Sequence, residues 1–456
     1  MSDFVPPFPA RPREPLPPLA GLRMARRNFL AIWHEKSFEY QFFSTRVLTR
    51  SLFVCNSPDT VAAAFINHHD SFERKTPQMR HALAPLLGDG LFISDGETWR
   101  RRRRIVASIV HASRLPLFAP VMIEAAAEVA ERWARLPSGA PIDALREMAT
   151  LTAEIICRTV FGRRLGAEHA HLIAASFSTY QRLVGQVDLP SLLGLPDWLP
   201  RLRSPAIGRA AARIHRVLDD IIASCRERRA NGDASMISLL FEARDEETGE
   251  ALDAQALRNE AAVIFMAGHE TTANSLAWTW YLLSQAPEVE ERLHRELDTV
   301  LGARPPTLGD VPLLVYTRAV FEEAMRLYPP VPLLGREALR DETIRNRPVP
   351  RGSLVVVVPW LLHRHRKFWE RPDRFVPERF LPEQAGLRPR HLYIPFSTGP
   401  RICAGAAFGL TEAILCLATL AQRVRLRLAP GATVAPVCRL TLRPGERLPM
   451  LIYRRG

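Results

Sequence analysis

The stretch from Leu257 to Leu283 constrains this chain more than any other. Apolar residues fall on every side of its helical repeat, so a helix built from it has no face left for water and must be wrapped by other elements. A mainly α protein with small β-sheets, organised around one buried central helix, is the expectation. Inside the run sits Ala267-Gly268-His269-Glu270-Thr271-Thr272, an acid beside an alcohol in apolar surroundings. Adjacent residues cannot share one helical face, and a helical threonine tends to bond back to a preceding carbonyl, so the site can hold a local distortion. Alone, the hexapeptide reads equally as a polar interruption bridged by water.

A second constraint is Phe396-Ser397-Thr398-Gly399-Pro400-Arg401-Ile402-Cys403-Ala404-Gly405, one cysteine between two glycines. Phe408, Leu410, Ile414, Leu417 and Leu420 follow at helical spacing. Cys403 is therefore expected where a helix begins, a position that favours anions and lowers thiol pKa values. The glycines let backbone approach a flat cofactor, and cysteine thiolate is one of the few protein ligands that haem iron accepts. An isolated cysteine would read instead as a small buried hydrophobe.

The 456 residues carry no linker-like tract or internal repeat, and 47% of them are hydrophobic, ample for a large core. The reading is a Pro-rich arm over residues 1–18 followed by a single unit over 19–456. Net charge is +13, but all Lys and Arg except Lys36, Lys75 and Lys367 are arginine, a compositional bias that makes basicity weak evidence for nucleic acid. Six cysteines show no framework spacing, which points to a reducing compartment. No window reaches the ~18 consecutive apolar residues of a membrane span. Helices are expected over 58–66, 98–110, 122–136, 141–161 and 205–230, and strands over 45–55, 336–344, 353–358 and 440–453.

The Cys403 segment resembles the haem-binding loop of the cytochrome P450 family, with every fixed position of that pattern filled. The other family signatures follow in order: Ala267 to Thr272, then Glu323-Ala324-Met325-Arg326, then Phe375-Val376-Pro377-Glu378-Arg379-Phe380. The resemblance implies haem b (iron protoporphyrin IX) between a distal central helix and a proximal cysteine loop and helix. Cys403 would be the axial ligand, Phe396 and Gly405 part of the loop, and Trp99, Arg103, Arg336 and Arg401 the partners of the haem propionates. Glu270 and Thr271 would deliver protons to dioxygen, and His269 takes no metal role. Glu323, Arg326 and Arg379 would form a buried structural triad, in which a planar guanidinium cannot be replaced by lysine.

The implied activity is a haem monooxygenase that hydroxylates or epoxidises a lipophile such as a fatty acid or terpenoid. Family position draws the substrate pocket from Leu91 to Ser94, Phe265, Ala267, Val331, Leu333, Leu334 and Leu440. Electrons would come from a separate ferredoxin and its reductase, docking on the outward arginines among Arg100, Arg101, Arg102 and Arg104. Neither a nucleic-acid partner nor a transmembrane anchor is expected, and the location implied is cytoplasmic. The segment 189–200 falls over the substrate entrance, where a peripheral lipid contact is open. Peroxide-using haem-thiolate enzymes and non-catalytic haem sensors remain alternatives, against which the acid and alcohol pair weighs.

Overall fold

The computed structural model describes residues 4–162, 167–184, 188–197, 199, 204–228 and 235–455. Its axis is the 32-residue helix Ala254–Gln285, buried almost throughout from Ala256 to Ser284. Asp253 caps it by accepting from the Ala256 amide at 2.7 Å, and Pro287, in the first turn of the next helix, prevents continuation. The distortion expected at Ala267 to Thr272 is absent. Thr271 and Ser275 bond back to the Ala267 and Thr271 carbonyls at 2.6 and 2.9 Å while the helix runs on unbroken.

Helices Leu115–Ala134, Ala144–Phe161, Pro205–Arg228, Val315–Leu327 and Ala406–Ala421 surround this axis. Ala144–Phe161 packs most extensively against it. A Cβ on Gly268 would lie 2.6 Å from Ile156 Cδ1, so glycine permits that approach. Two expected helices begin elsewhere: 122–136 extends back to Leu115, and 141–161 starts at Ala144 because Ala140–Asp143 is a strand. The last two residues of the expected helix 205–230 lie outside the described residues, as do Trp198 and Pro200 of the 189–200 segment. Gly96–Ala134 is long and apolar enough to cross a membrane by composition, with a mean hydropathy of 1.5 in its best window. It is nonetheless two helices with a 3-10 turn between them, and Met122, Ala126 and Trp133 are buried.

A four-stranded sheet takes the order Phe42–Val47, Arg50–Cys55, Leu354–Val357, Leu334–Glu337, with only its central pair parallel. The expected single strand over 45–55 is a hairpin that turns at Leu48, where φ is 56°. A second sheet pairs Pro449–Arg454 with both Ala140–Asp143 and Val424–Leu428. The N-terminal arm is extended but pinned. Arg11 forms a bidentate pair with Asp373 at 2.6 and 3.0 Å and stacks over Phe8 and Phe38, while Tyr328 donates to the Pro7 carbonyl.

Glu323 and Arg326 are both fully buried and joined by two bonds of 2.6 and 2.7 Å. The other three Arg326 donors reach the carbonyls of His363, Pro372 and Arg374 at 2.7–2.9 Å, so all five are used. Arg379 is the weaker third member: its Nε stands 3.5 Å from Glu323 and makes no hydrogen bond, and its side chain is 14% exposed. Arg326→Ala should therefore cost about 3–5 kcal/mol, the typical loss when one partner of a buried pair is removed. Arg379→Ala should cost nearer 1 kcal/mol, as for a peripheral ion pair. Urea unfolding of the two variants checks the difference.

Candidate active site

The cysteine loop is closed by the Cys403 amide donating to the Phe396 carbonyl at 2.9 Å. Gly399 has φ 74°, and a Cβ there would collide with the Phe65 carbonyl oxygen, so only glycine fits. Ser397 has φ 65° without being glycine. A side chain in the left-handed region costs roughly 1–2 kcal/mol, so serine strains this turn.

Cys403 does not sit at the helix start. The helix begins at Ala406 with Gly405 as its cap. Burial pushes the thiol pKa up, opposed by the Gly405 amide and by the charge of Arg103. Desolvation outweighs both, which reverses the expected lowering. The side chain is accessible by surface area although protein surrounds it on nearly every side. Both descriptions hold because it faces an internal cavity of about 420 Å³.

Trp99, Arg103, Ala267, Thr271, Phe396, Arg401 and Gly405 line the same cavity, together with Lys75. Arg336 is 3% exposed and lies in an adjoining recess with Trp99 and Arg401. Burial lowers the pKa of all four cations: Arg336 to about 9, Arg401 to about 10, Lys75 and Arg103 by direction. Mutual repulsion adds to this at Lys75, Arg336 and Arg401. Among the described residues none of the four has a carboxylate within salt-bridge distance. Their contacts are aromatic faces, Phe65 under Arg336 and Trp99 under Arg401, and carbonyls such as that of Ser94. Such a cluster calls for anions. The two propionates of haem answer that need, and an apolar cavity carrying a thiol suits the rest of the group. Lys75 was missed in the sequence; its one legible signal is that it is one of three lysines in an arginine chain.

On the central helix, Thr271 Oγ1 donates to the Ala267 carbonyl, which leaves its lone pairs free to accept. Glu270 has different partners. Thr441 Oγ1 and Arg443 Nε reach Glu270 Oε1 at 2.7 and 2.8 Å, and Gln181 donates to Oε2. Burial would raise its pKa, but Arg443 and these donors bring the net value below the ordinary carboxylate range. Glu270 is thus an ion-paired carboxylate at neutral pH rather than a free acid. His269 is buried against Phe265 at 5.6 Å, and no metal cluster of His, Cys, Asp and Glu occurs among the described residues.

The cytochrome P450 family model matches residues 14–446. The chain is a cytochrome P450. It is 35% identical to cyclooctatin synthase of Streptomyces melanosporofaciens over 94% of this chain and 92% of that one. Pentalenene oxygenase of Streptomyces avermitilis is 31% identical over 81% of each. The crystal structure of the cytochrome P450DA haem domain superposes with a TM-score of 0.82 at 25% identity, covering 99% of both chains. The P450 therefore carries haem b and is a monooxygenase.

Of the pocket residues expected in this P450, Leu91, Ala267, Val331, Leu333, Leu334 and Leu440 do line the cavity. Phe265 does not. It is fully buried on the far side of its helix, packed on Phe177 at 4.9 Å. Phe92 is a wall residue, while Ile93 and Ser94 are not. The arginine face also differs from expectation. Arg102 points inward to Asp89 and Glu260; Arg104 chelates Asp245 at 2.6 and 2.8 Å; Arg101 meets Glu250; Arg100 meets Glu73. Arg101 and Arg104 hold the acidic loop at 245–250, and Arg100 and Arg102 pair with carboxylates of other segments, so each of the four is engaged within the chain rather than presented as an unpaired basic face.

Two loop substitutions should separate strain from fit. Ser397→Gly should stabilise the protein by about 1 kcal/mol through relief of the left-handed serine. Gly399→Ala should abolish stable haem incorporation. Thermal unfolding and haem content of the purified variants read both effects.

Proposed function

We propose that this P450 hydroxylates or epoxidises a terpenoid-sized lipophile, with Cys403 as axial haem ligand and Lys75, Trp99, Arg103, Arg336 and Arg401 around the propionates. The carrying observation is that the thiol and three cations without a salt-bridged carboxylate, Lys75, Arg103 and Arg401, meet on one cavity whose remaining wall is largely apolar, with Arg336 in the adjoining recess. Haem held there would supply the activation of dioxygen, and donation from a Cys403 thiolate would favour O–O cleavage. Names of relatives support the substrate class: a 34% identical protein of Streptomyces melanosporofaciens is cyclooctat-9-en-7-ol 5-monooxygenase. Met79, Val263, Ile264, Val331, Leu333 and Leu440 would exclude water and orient the apolar skeleton.

Thr271 acts first as an acceptor, because its proton is committed to Ala267. It fixes a protonated partner in the cavity, and it donates only after swinging off that carbonyl. Glu270 joins proton delivery only once it leaves Arg443, since the ion pair holds it deprotonated. Retention of the acid and the alcohol favours dioxygen over peroxide as oxidant. We take the electrons to come from separate redox partners, a ferredoxin and its reductase. A cytoplasmic location accords with six cysteines that show no disulfide-framework spacing.

Cys403→Ser should remove the thiolate-type red-shifted Soret band of the reduced carbon monoxide complex, since a hydroxyl is a poor electron donor to iron. Survival of that band in the variant would assign the ligand elsewhere. Thr271→Ala should leave substrate binding nearly unchanged while product formed per electron consumed falls and peroxide accumulates. General acid–base groups typically contribute ~10²–10⁴-fold, so unaltered coupling would exclude Thr271 from proton delivery.

A further inference from the structure

The segment Gly88 to Ser94 supplies Leu91 and Phe92 to the cavity wall, and something must hold it there. Its turns press on the central helix. Gly88, at φ 55°, packs where a Cβ would collide with the Asn259 side chain, and a Cβ on Gly90 would lie 2.7 Å from Val263 Cγ2. Among the described residues, the side chain that bonds the backbone of the Leu91–Phe92 wall is Glu260, which accepts from the Leu91 amide at 2.9 Å.

Glu260 is fully buried on the central helix, one turn before Val263 and Ile264 of the same cavity. Its second oxygen has no hydrogen-bond partner. Arg102 stands 3.6 Å from the first oxygen and bonds both oxygens of Asp89 at 3.2 Å, and Asn259 donates to Asp89 at 2.8 Å. Glu260, Asn259, Arg102 and Asp89 thus tie the wall segment to two helices. Burial pushes the Glu260 carboxyl up to about 7 against the pull of Arg102 and the Leu91 amide. A half-satisfied buried acid is costly, which suits a group kept for what it holds.

We propose that Glu260 is a positioning residue for substrate selection: through the Leu91 amide it sets how far the Leu91–Phe92 wall stands into the cavity, and so which sizes of substrate are admitted. This rests on the P450 reading of the cavity. Glu260→Met fills the same space without an acceptor, whereas Glu260→Gln keeps one.

The test is hydrogen exchange across residues 86–95 of the holoenzyme, paired with spectral titration by imidazole and by 4-phenylimidazole. Glu260→Met should speed exchange of the Leu91 amide by about tenfold or more, as expected for a buried donor losing its acceptor. It should also lower the ratio of the 4-phenylimidazole to the imidazole Kd by about tenfold, the scale of a methylene-sized change in an apolar pocket. Glu260→Gln should restore both. Unchanged exchange, a common shift of both Kd values, or failure of Gln to rescue would each overturn the proposal. If Glu260→Met yields no holoenzyme, Phe92→Ala decides: it trims the same wall without touching Glu260 and should lower the same ratio, and an unchanged ratio removes the wall from selection. A wild type giving no azole spectrum would count against the haem reading, while the exchange measurement still judges Glu260 without any ligand.

Discussion

Buried positive charge is the constraint around which this P450 is organised, and the chain treats it in two opposite ways. Arg326 is fully satisfied: Glu323 takes two of its donors and three carbonyls take the rest, so it locks the segments around residues 363–376 to the helix Val315–Leu327. Lys75, Arg103, Arg336 and Arg401 have no carboxylate within salt-bridge distance among the described residues, and burial lowers the pKa of each, with repulsion from neighbouring cations adding to this at Lys75, Arg336 and Arg401. The first arrangement completes the fold from within. On the proposed reading, the second would be completed by the anionic edge of the haem, which would couple haem binding and stability in the same residues.

The central helix carries the rest of the chemistry, and its polar residues are tied to different parts of the molecule. Glu260 holds the Leu91 wall; Glu270 is paired with Arg443 of the C-terminal segment and with Gln181; Asn274 donates to Thr441. Thr271 and Ser275 line the cavity with hydroxyls that donate to backbone carbonyls and so keep lone pairs free to accept. One rigid element therefore sets substrate wall, proton positioning and cofactor clearance together, and a polar residue at the wrong turn would disturb more than one of them. The unbroken helical ladder matters here. Back-bonding by Thr271 and Ser275 satisfies their hydroxyls without opening the helix.

Residues that depend on local chain chemistry were legible before the fold was seen. The cysteine loop, the buried character of Leu257 to Leu283 and the Glu323–Arg326 spacing are short-range patterns, readable from glycine placement and helical periodicity. Phe265 was misplaced because two apolar faces of a fully buried helix look alike in sequence, and only packing against Phe177 distinguishes them. The arginines at 100, 101, 102 and 104 read as a basic face in sequence because their partners, Glu73, Asp89, Asp245 and Glu250, lie on other segments.

The sequence by itself determined the cofactor class and the central helix, the first through the family pattern that the cysteine loop fills and the second because a helix with apolar residues on every side must be wrapped. Tertiary structure alone decided the charge states and partners. Whether Cys403 is raised or lowered, whether Glu270 is free or paired, and whether Lys75 matters depend on burial and on side chains that arrive from distant segments. Desolvation and long-range pairing are set by three-dimensional proximity, which local spacing does not encode.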